Sequence, residues 1–188
     1  MLYYDNPDLL RRFSAVLARA IIARAEVLDA EAQPEDVARA HHWSWADDNS
    51  CLFSPELFDF FAMPIHRAVF GRFAPAPDNH RYQHSDSAMG HLLPLLGELD
   101  LRGVNFGPTL LVRDIRQHCP RAVIHGQLAP FTYSRNDEEG MVREFLRDFA
   151  DAREQRGLVF ATAGSITNGS RLTGMRLIMA AIERYGQF

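Results

Sequence analysis

The stretch 80–108, HRYQHSDSAMGHLLPLLGELDLRGVNFGP, decides the fold. Its first residues alternate polar and aromatic side chains, which predicts a strand over Asn79–His84. Leucines at helical spacing follow and predict a helix over Met89–Leu99. A short apolar run then predicts a second strand over Val104–Phe106. Strand, helix, strand with short connections is a parallel unit with a right-handed crossover. His84-Ser85-Asp86 stands at the end of the first strand, where an α/β protein keeps its chemistry.

The same rhythm extends in both directions. Upstream, Asn6-Pro7-Asp8 opens a helix with apolar residues at Leu9, Leu10, Phe13, Val16, Leu17, Ile21 and Ile22, running to Leu28. Gln33-Pro34 marks a turn before a short helical piece within 31–40. HHWSW (41–45) alternates as a strand and runs into Asp47-Asp48-Asn49. Ser54 caps a further helix with Pro55 at its first position, and Pro64 is expected to kink or interrupt it. Downstream, a helix is expected over Thr109–His118, a strand over Ala122–His125 and a long helix over Asp137–Gln155. QLAPFTYSRN (127–136) is the longest loop. GLVFAT (157–162) reads as a fifth strand and Ser170–Tyr185 as the last helix. Five strands alternating with helices predict an α/β fold with one parallel sheet in a single domain over 1–188. Five strands cannot close an eight-stranded barrel, so the expectation is an open sheet or a partial barrel.

All 20 basic residues of the 188 are Arg, and the formal net charge is −4. The absence of Lys excludes a Schiff-base lysine, a Walker lysine and a lysine general base. Nothing in the charge calls for nucleic acid or an anionic membrane surface. No apolar run is long enough for a membrane span. Cys51 and Cys119 fit no CxxC pattern and read as free thiols, so a cytoplasmic location is expected.

The residues at or just past the strand ends are Asp47, Asp48, His84, Asp86, Asn105, His125, Gln127, Thr162 and Ser165. They come from five segments, and the topology brings them to one rim. His84 and Asp86 share one side of an extended strand, as an acid–base or ligand pair, or as a strand end with Asp86 capping the next helix. Asp47 and Asp48 point opposite ways, so at most one faces a pocket. His125, before a flexible Gly126, lines a pocket with Gln127. His41 and His42 lie at the opposite end of the strands and read as structural. Cys51 reads as a buried thiol. TNGS (167–170) reads as a turn and helix cap, or as an anion site at a helix N-terminus. The Leu and Phe stripes read as core.

Four stretches resemble the C-terminal part of the uroporphyrinogen decarboxylase family, which also contains corrinoid-dependent methyltransferases. They are WADDNSCLFSPELFDFFAMPI (45–65), HSDS (84–87), VIHGQLAPF (123–131) and LVFATAGSITNGS (158–170). SPELFDFFAMP and HGQLAP are the most specific. The resemblance implies about five C-terminal units of a (β/α)8 TIM barrel, with the N-terminal units absent. It implies tetrapyrrole decarboxylation or corrinoid-dependent methyl transfer by a chain incomplete on its own. The alternative is a non-catalytic half-barrel or truncated copy that acts through assembly. Asp47, Asp48 and His84 are the expected catalytic residues. Asp86, Asn105, His125, Gln127 and Ser165 are the expected substrate contacts.

The departures from the family pattern matter too. The family's zinc-binding methyltransferases carry a His-x-Cys pair and a later Cys; here those positions read His84-Ser85-Asp86 and Gly164. No metal is therefore expected, with His84 and Asp86 as the weaker alternative pair. No cofactor is expected for decarboxylation, and a corrinoid partner or zinc belongs to the methyl-transfer reading. The expected partners are a small-molecule substrate and either a second copy or the missing barrel half.

Overall fold

The computed structural model of the chain describes residues 2–32, 41–166 and 168–186. The turn at Gln33-Pro34 and the helical piece after it lie outside the described residues, as does Thr167. Five parallel strands form one sheet: β1 (His42–Ala46), β2 (His80–Ser85), β3 (Gly103–Phe106), β4 (Val123–Leu128) and β5 (Leu158–Thr162). Their order in the sheet is their order in the chain. Successive right-handed β/α units give this order, that of a partial barrel.

The two faces of the sheet differ in chemistry. Gln83, Ser85, Val104, Phe106 and Ile124 are buried, and the half-buried Trp43 and Trp45 pack with the core on the same side. The period-2 pleat sends the intervening residues to the other face. There His42 stacks on His80 with ring centroids 4.7 Å apart, His80 stacks on Tyr82, and Tyr82 meets His125 edge-on. His42, His80, Val123 and Val159 are exposed on this face. In a closed barrel it would be the interior.

A short helix α1 (Leu2–Asp5) precedes α2 (Pro7–Glu31). Asn6 caps α2, its side-chain oxygen accepting from Leu9 N at 3.0 Å. The face of α2 that packs on the next helix is made of small residues: Ser14, Ala18 and Ala25 are buried with Leu10. Leu9 and Phe13 are exposed, contrary to the reading of the Leu and Phe stripes as core, and Val16 is exposed beside them. Small side chains let two helices approach closely, so the larger ones are left on the outer side.

The helical run after β1 consists of α3 (Pro55–Leu57), a π-helical turn (Phe58–Ala62) and α4 (Met63–Phe73). Ser54 caps it as expected. Pro64 has no N–H for the carbonyl of Phe60, four residues back, and its ring would crowd that carbonyl. The π-turn ahead of Pro64 widens the ladder, so the run continues to Phe73 instead of ending. The carbonyls of this turn find side-chain donors: Ser14 Oγ donates to Phe61 O at 2.7 Å, and His66 Nδ1 pairs with Ala62 O at 2.9 Å.

Later helices are shorter than their apolar spacing predicts. Met89–Leu99 resolves into a 3₁₀ turn (Gly90–Leu92) and α5 (Leu93–Gly97); α6 is Val112–His118. The stretch 127–136 is no loop. β4 runs on to Leu128, and α7 (Pro130–Ser134) follows with Pro130 in its first turn. α8 (Glu138–Ala152) is capped by Asp137, whose carboxylate accepts from Gly140 N. α9 (Leu172–Tyr185) has Arg171, not Ser170, at its N-cap and no side-chain cap bond there. Cys119 is buried, and burial pushes its thiol up to about 12; Cys51 is half-buried rather than buried.

Arg116 on α6 fastens the N-terminal ends of β4 and β5. Its guanidinium donates to Pro120 O and Ala122 O before β4, and to Arg156 O and Gly157 O before β5, at 2.7–3.2 Å. Truncation would leave four carbonyls without this donor. Arg116→Ala is expected to destabilise the fold by roughly 2–4 kcal/mol, with Arg116→Lys restoring little because an ammonium lacks the planar fork. Denaturant unfolding monitored by circular dichroism measures both.

Candidate functional site at the C-terminal rim

The rim is assembled from the ends of β1, β2, β3 and β5. β2 ends at Ser85, so the chain turns at Asp86 with the carboxylate facing back toward His84. His84 Nε2 lies 3.3 Å from Asp86 Oδ1, and His84 Nδ1 pairs with Asn105 Oδ1 at 2.8 Å. The side-chain amide of Asn105 donates to His125 O, and to Thr162 O at 3.3 Å. With its nitrogen so committed, Asn105 presents its oxygen to His84, and Nδ1 of His84 carries the proton. Nε2 is then a lone pair in the neutral ring and a donor to Asp86 in the imidazolium.

Two neighbours hold Asp86. Its backbone N–H donates to Asp48 Oδ1 at 2.7 Å. Gly164, at φ +107°, sits against its carboxylate: a Cβ there would lie 2.7 Å from Asp86 Oδ1. The rim thus has an exposed carboxylate, a half-exposed imidazole and a buried amide in one connected cluster.

The expected site residues divide accordingly. Asp48, His84, Asp86 and Asn105 come together. Asp47 does not join them. Its carboxylate points to the helix side, accepting from Ser50 Oγ at 2.5 Å and lying 3.9 Å from His66 Nε2. The two adjacent aspartates do point opposite ways. His125 lies lower on the open face, against Tyr82. Burial and the proximity of His125 hold the His80 imidazole below its usual range. Gln127 is no pocket residue: β4 continues through it, it is fully buried, and its amide donates to Gly107 O and Leu110 O. Ser165 is exposed beyond the rim. His66 and the positioning role of Asn105 escaped the sequence reading. A lone His on an apolar helix and an Asn within a strand carry no pattern of their own.

The residues do not make a zinc site. His84 Nε2 and Asp86 Oδ1 are two donors, Gly164 offers no side chain, and one Asp48 oxygen is taken by a backbone N–H. Among the described residues no group of three or more His, Cys, Asp or Glu is placed to hold a metal ion. Zinc sites use three or four protein ligands.

The family model for uroporphyrinogen decarboxylase (URO-D) matches residues 1–185, and the chain belongs to that family. No curated protein matches it. Among solved structures, a methyltransferase from Methanosarcina mazei superposes with a TM-score of 0.61 at 17% identity. The match covers 77% of this chain and 42% of that one, so the chain spans under half of that relative's length. Among the described residues no helix is long and apolar enough to cross a membrane.

Gly164 gives the site a direct test. Gly164→Ala places a methyl group against the Asp86 carboxylate at a backbone angle that L-residues rarely adopt. The expected cost is roughly 1–3 kcal/mol. Thermal unfolding reads the loss, and a nuclear magnetic resonance shift of the His84 ring reads the displaced Asp86.

Proposed function

We propose that this rim is a small-molecule site of the uroporphyrinogen decarboxylase type, at which His84 moves a proton as CO2 leaves a tetrapyrrole-class substrate. The observation that carries the reading is His84 itself, fixed through Nδ1 by Asn105 with Nε2 turned to Asp86. In the step, the bond from carbon to carboxylate breaks and CO2 departs. The electron pair left on carbon takes the proton from His84 Nε2. Asp86 orients the ring through its contact with Nε2, and Asp48 holds the Asp86 backbone in place. This needs no metal, which suits a rim with two side-chain donors.

Methyl transfer is the second reading, supported by the likeness to a methyltransferase. It would need a corrinoid partner, and zinc with ligands from outside the present cluster. In either reading the five strands are part of a ring. The family resemblance assigns the groups that grip substrate carboxylates to barrel units other than these five. The open edges of the five-stranded sheet are then met by further barrel units or by a second copy. Exposed apolar residues on the outer helices fit such assembly: Leu9, Phe13 and Val16 on α2, and Leu172, Met175 and Met179 on α9. The family chemistry and the weak net charge favour a cytoplasmic protein without nucleic-acid or membrane partners.

The chain alone is expected to bind uroporphyrin, read by porphyrin fluorescence, without turning over uroporphyrinogen, read by chromatography. His84→Ala and Asp86→Asn should each weaken binding about tenfold, or roughly 1.4 kcal/mol. Affinity untouched by both would move the site off the rim.

Light scattering should give a mass that rises with concentration. A monomer at every concentration would end the assembly reading.

A further inference from the structure

A second polar cluster lies behind the sheet, on the other side of β1 from the rim. A cavity of about 230 Å³ opens between α2, the π-turn and the end of β1. Trp45, Phe53 and Phe61 supply aromatic walls, Ile21 an aliphatic one, and Asp47 and His66 the polar groups. A dry cavity of about 150 Å³ is enough for benzene, so this one has room for an organic molecule.

The polar groups are arranged for a donor. His66 is 3% exposed, and its Nδ1 is tied to Ala62 O, so the proton sits on Nδ1. Burial holds the ring below its usual range and keeps it neutral, against the opposing pull of Ala62 O, Asp47 and the nearby Gln83 amide. Nε2 is therefore a lone pair. It is buried and has no hydrogen-bond partner among the described residues. Asp47 Oδ2 stands 3.9 Å away, too far for a direct bond and close enough for one donor atom to serve both. Among the described residues no other basic side chain lies within ion-pair distance of Asp47. Two acceptors, one of them anionic, converge beside aromatic walls. A donor-rich cation with an apolar body satisfies all three features.

We propose that this cavity binds a small primary ammonium compound with an apolar tail, its N–H groups shared by Asp47 Oδ2 and His66 Nε2 and its tail among Trp45, Phe53 and Phe61. The site is independent of the rim chemistry. A trapped water or a neutral alcohol is the competing occupant.

The protein carries its own reporter, because its two tryptophans are Trp43 and Trp45, 5.7 Å apart at ring centroids, and Trp45 lines the cavity. The full chain is titrated with hexylammonium chloride at constant ionic strength. Hexan-1-ol and ammonium chloride serve as controls, and tryptophan emission is the readout. The expected result is a saturable change with a midpoint below about 1 mM, and at least about tenfold weaker responses to both controls. Asp47→Asn, which keeps an acceptor for Ser50, should raise the midpoint at least about tenfold, and His66→Phe should do the same. In the wild type, the His66 Nε2 nitrogen resonance should shift on saturation while that of His84 stays in place. This measurement decides the matter if either variant fails to fold. No saturable change up to about 10 mM, an equal response to hexan-1-ol, or a stationary His66 resonance would overturn the proposal.

Discussion

One buried amide holds the C-terminal end of this sheet together. Asn105 sits on β3 and reaches β2 through the His84 ring, β4 through the carbonyl of His125 and β5 through that of Thr162. Four of five strands therefore meet at a single side chain. An amide does this because it carries an acceptor oxygen and a two-proton donor nitrogen in one plane, pointing away from each other. A leucine of similar size would leave two carbonyls and an imidazole nitrogen without these partners, each at a cost of about 1–3 kcal/mol. The same bonds that join the strands also select the tautomer of His84. The bonds that stabilise the rim and those that orient His84 are one network.

The opposite end of the strands is held by other means. Arg81 donates to the carbonyls of Ala74, Pro75 and Leu99, Arg102 to Pro77, and Arg116 to the carbonyls that precede β4 and β5. Guanidinium groups suit this work, since each planar fork gathers several backbone acceptors while staying charged. A chain with 20 Arg and no Lys has the means to use them so. Chemistry at the C-terminal ends and stability at the N-terminal ends is the division of labour of β/α barrels.

β1 shows how one strand end reaches both sides of the sheet. Asp47 and Asp48 are adjacent, yet Asp48 bonds the Asp86 backbone at the rim while Asp47 turns to Ser50 and His66 behind the sheet. The π-turn forced by Pro64 places Ala62 O to fix His66, so a helix irregularity and an aspartate orientation together create the rear cavity. The open inner face, with its stacked His42, His80 and Tyr82, is polar and aromatic where a closed barrel would be packed.

Local pattern determined much of this protein. The five strands, their parallel order, the Ser54, Asn6 and Asp137 region helix starts and the convergence of His84, Asp86, Asn105 and Asp48 follow from periodicity, capping residues and right-handed crossovers, all of which act over a few residues. The family was legible in SPELFDFFAMP and HGQLAP. Other features depended on partners far along the chain. Leu9 and Phe13 are exposed because α2 meets α4 through Ser14, Ala18 and Ala25. Gln127 is buried because β4 keeps pairing with β5 beyond His125, through Leu128 and Thr162. The role of Asn105 rests on carbonyls 20 and 57 residues away. His66 acquires its lone pair from a π-turn and its neighbour Asp47 from another strand end. Periodicity states which face of an element is apolar. Only packing decides which atoms meet across it, because hydrogen bonds are directional over about 3 Å and sequence spacing carries no such distances.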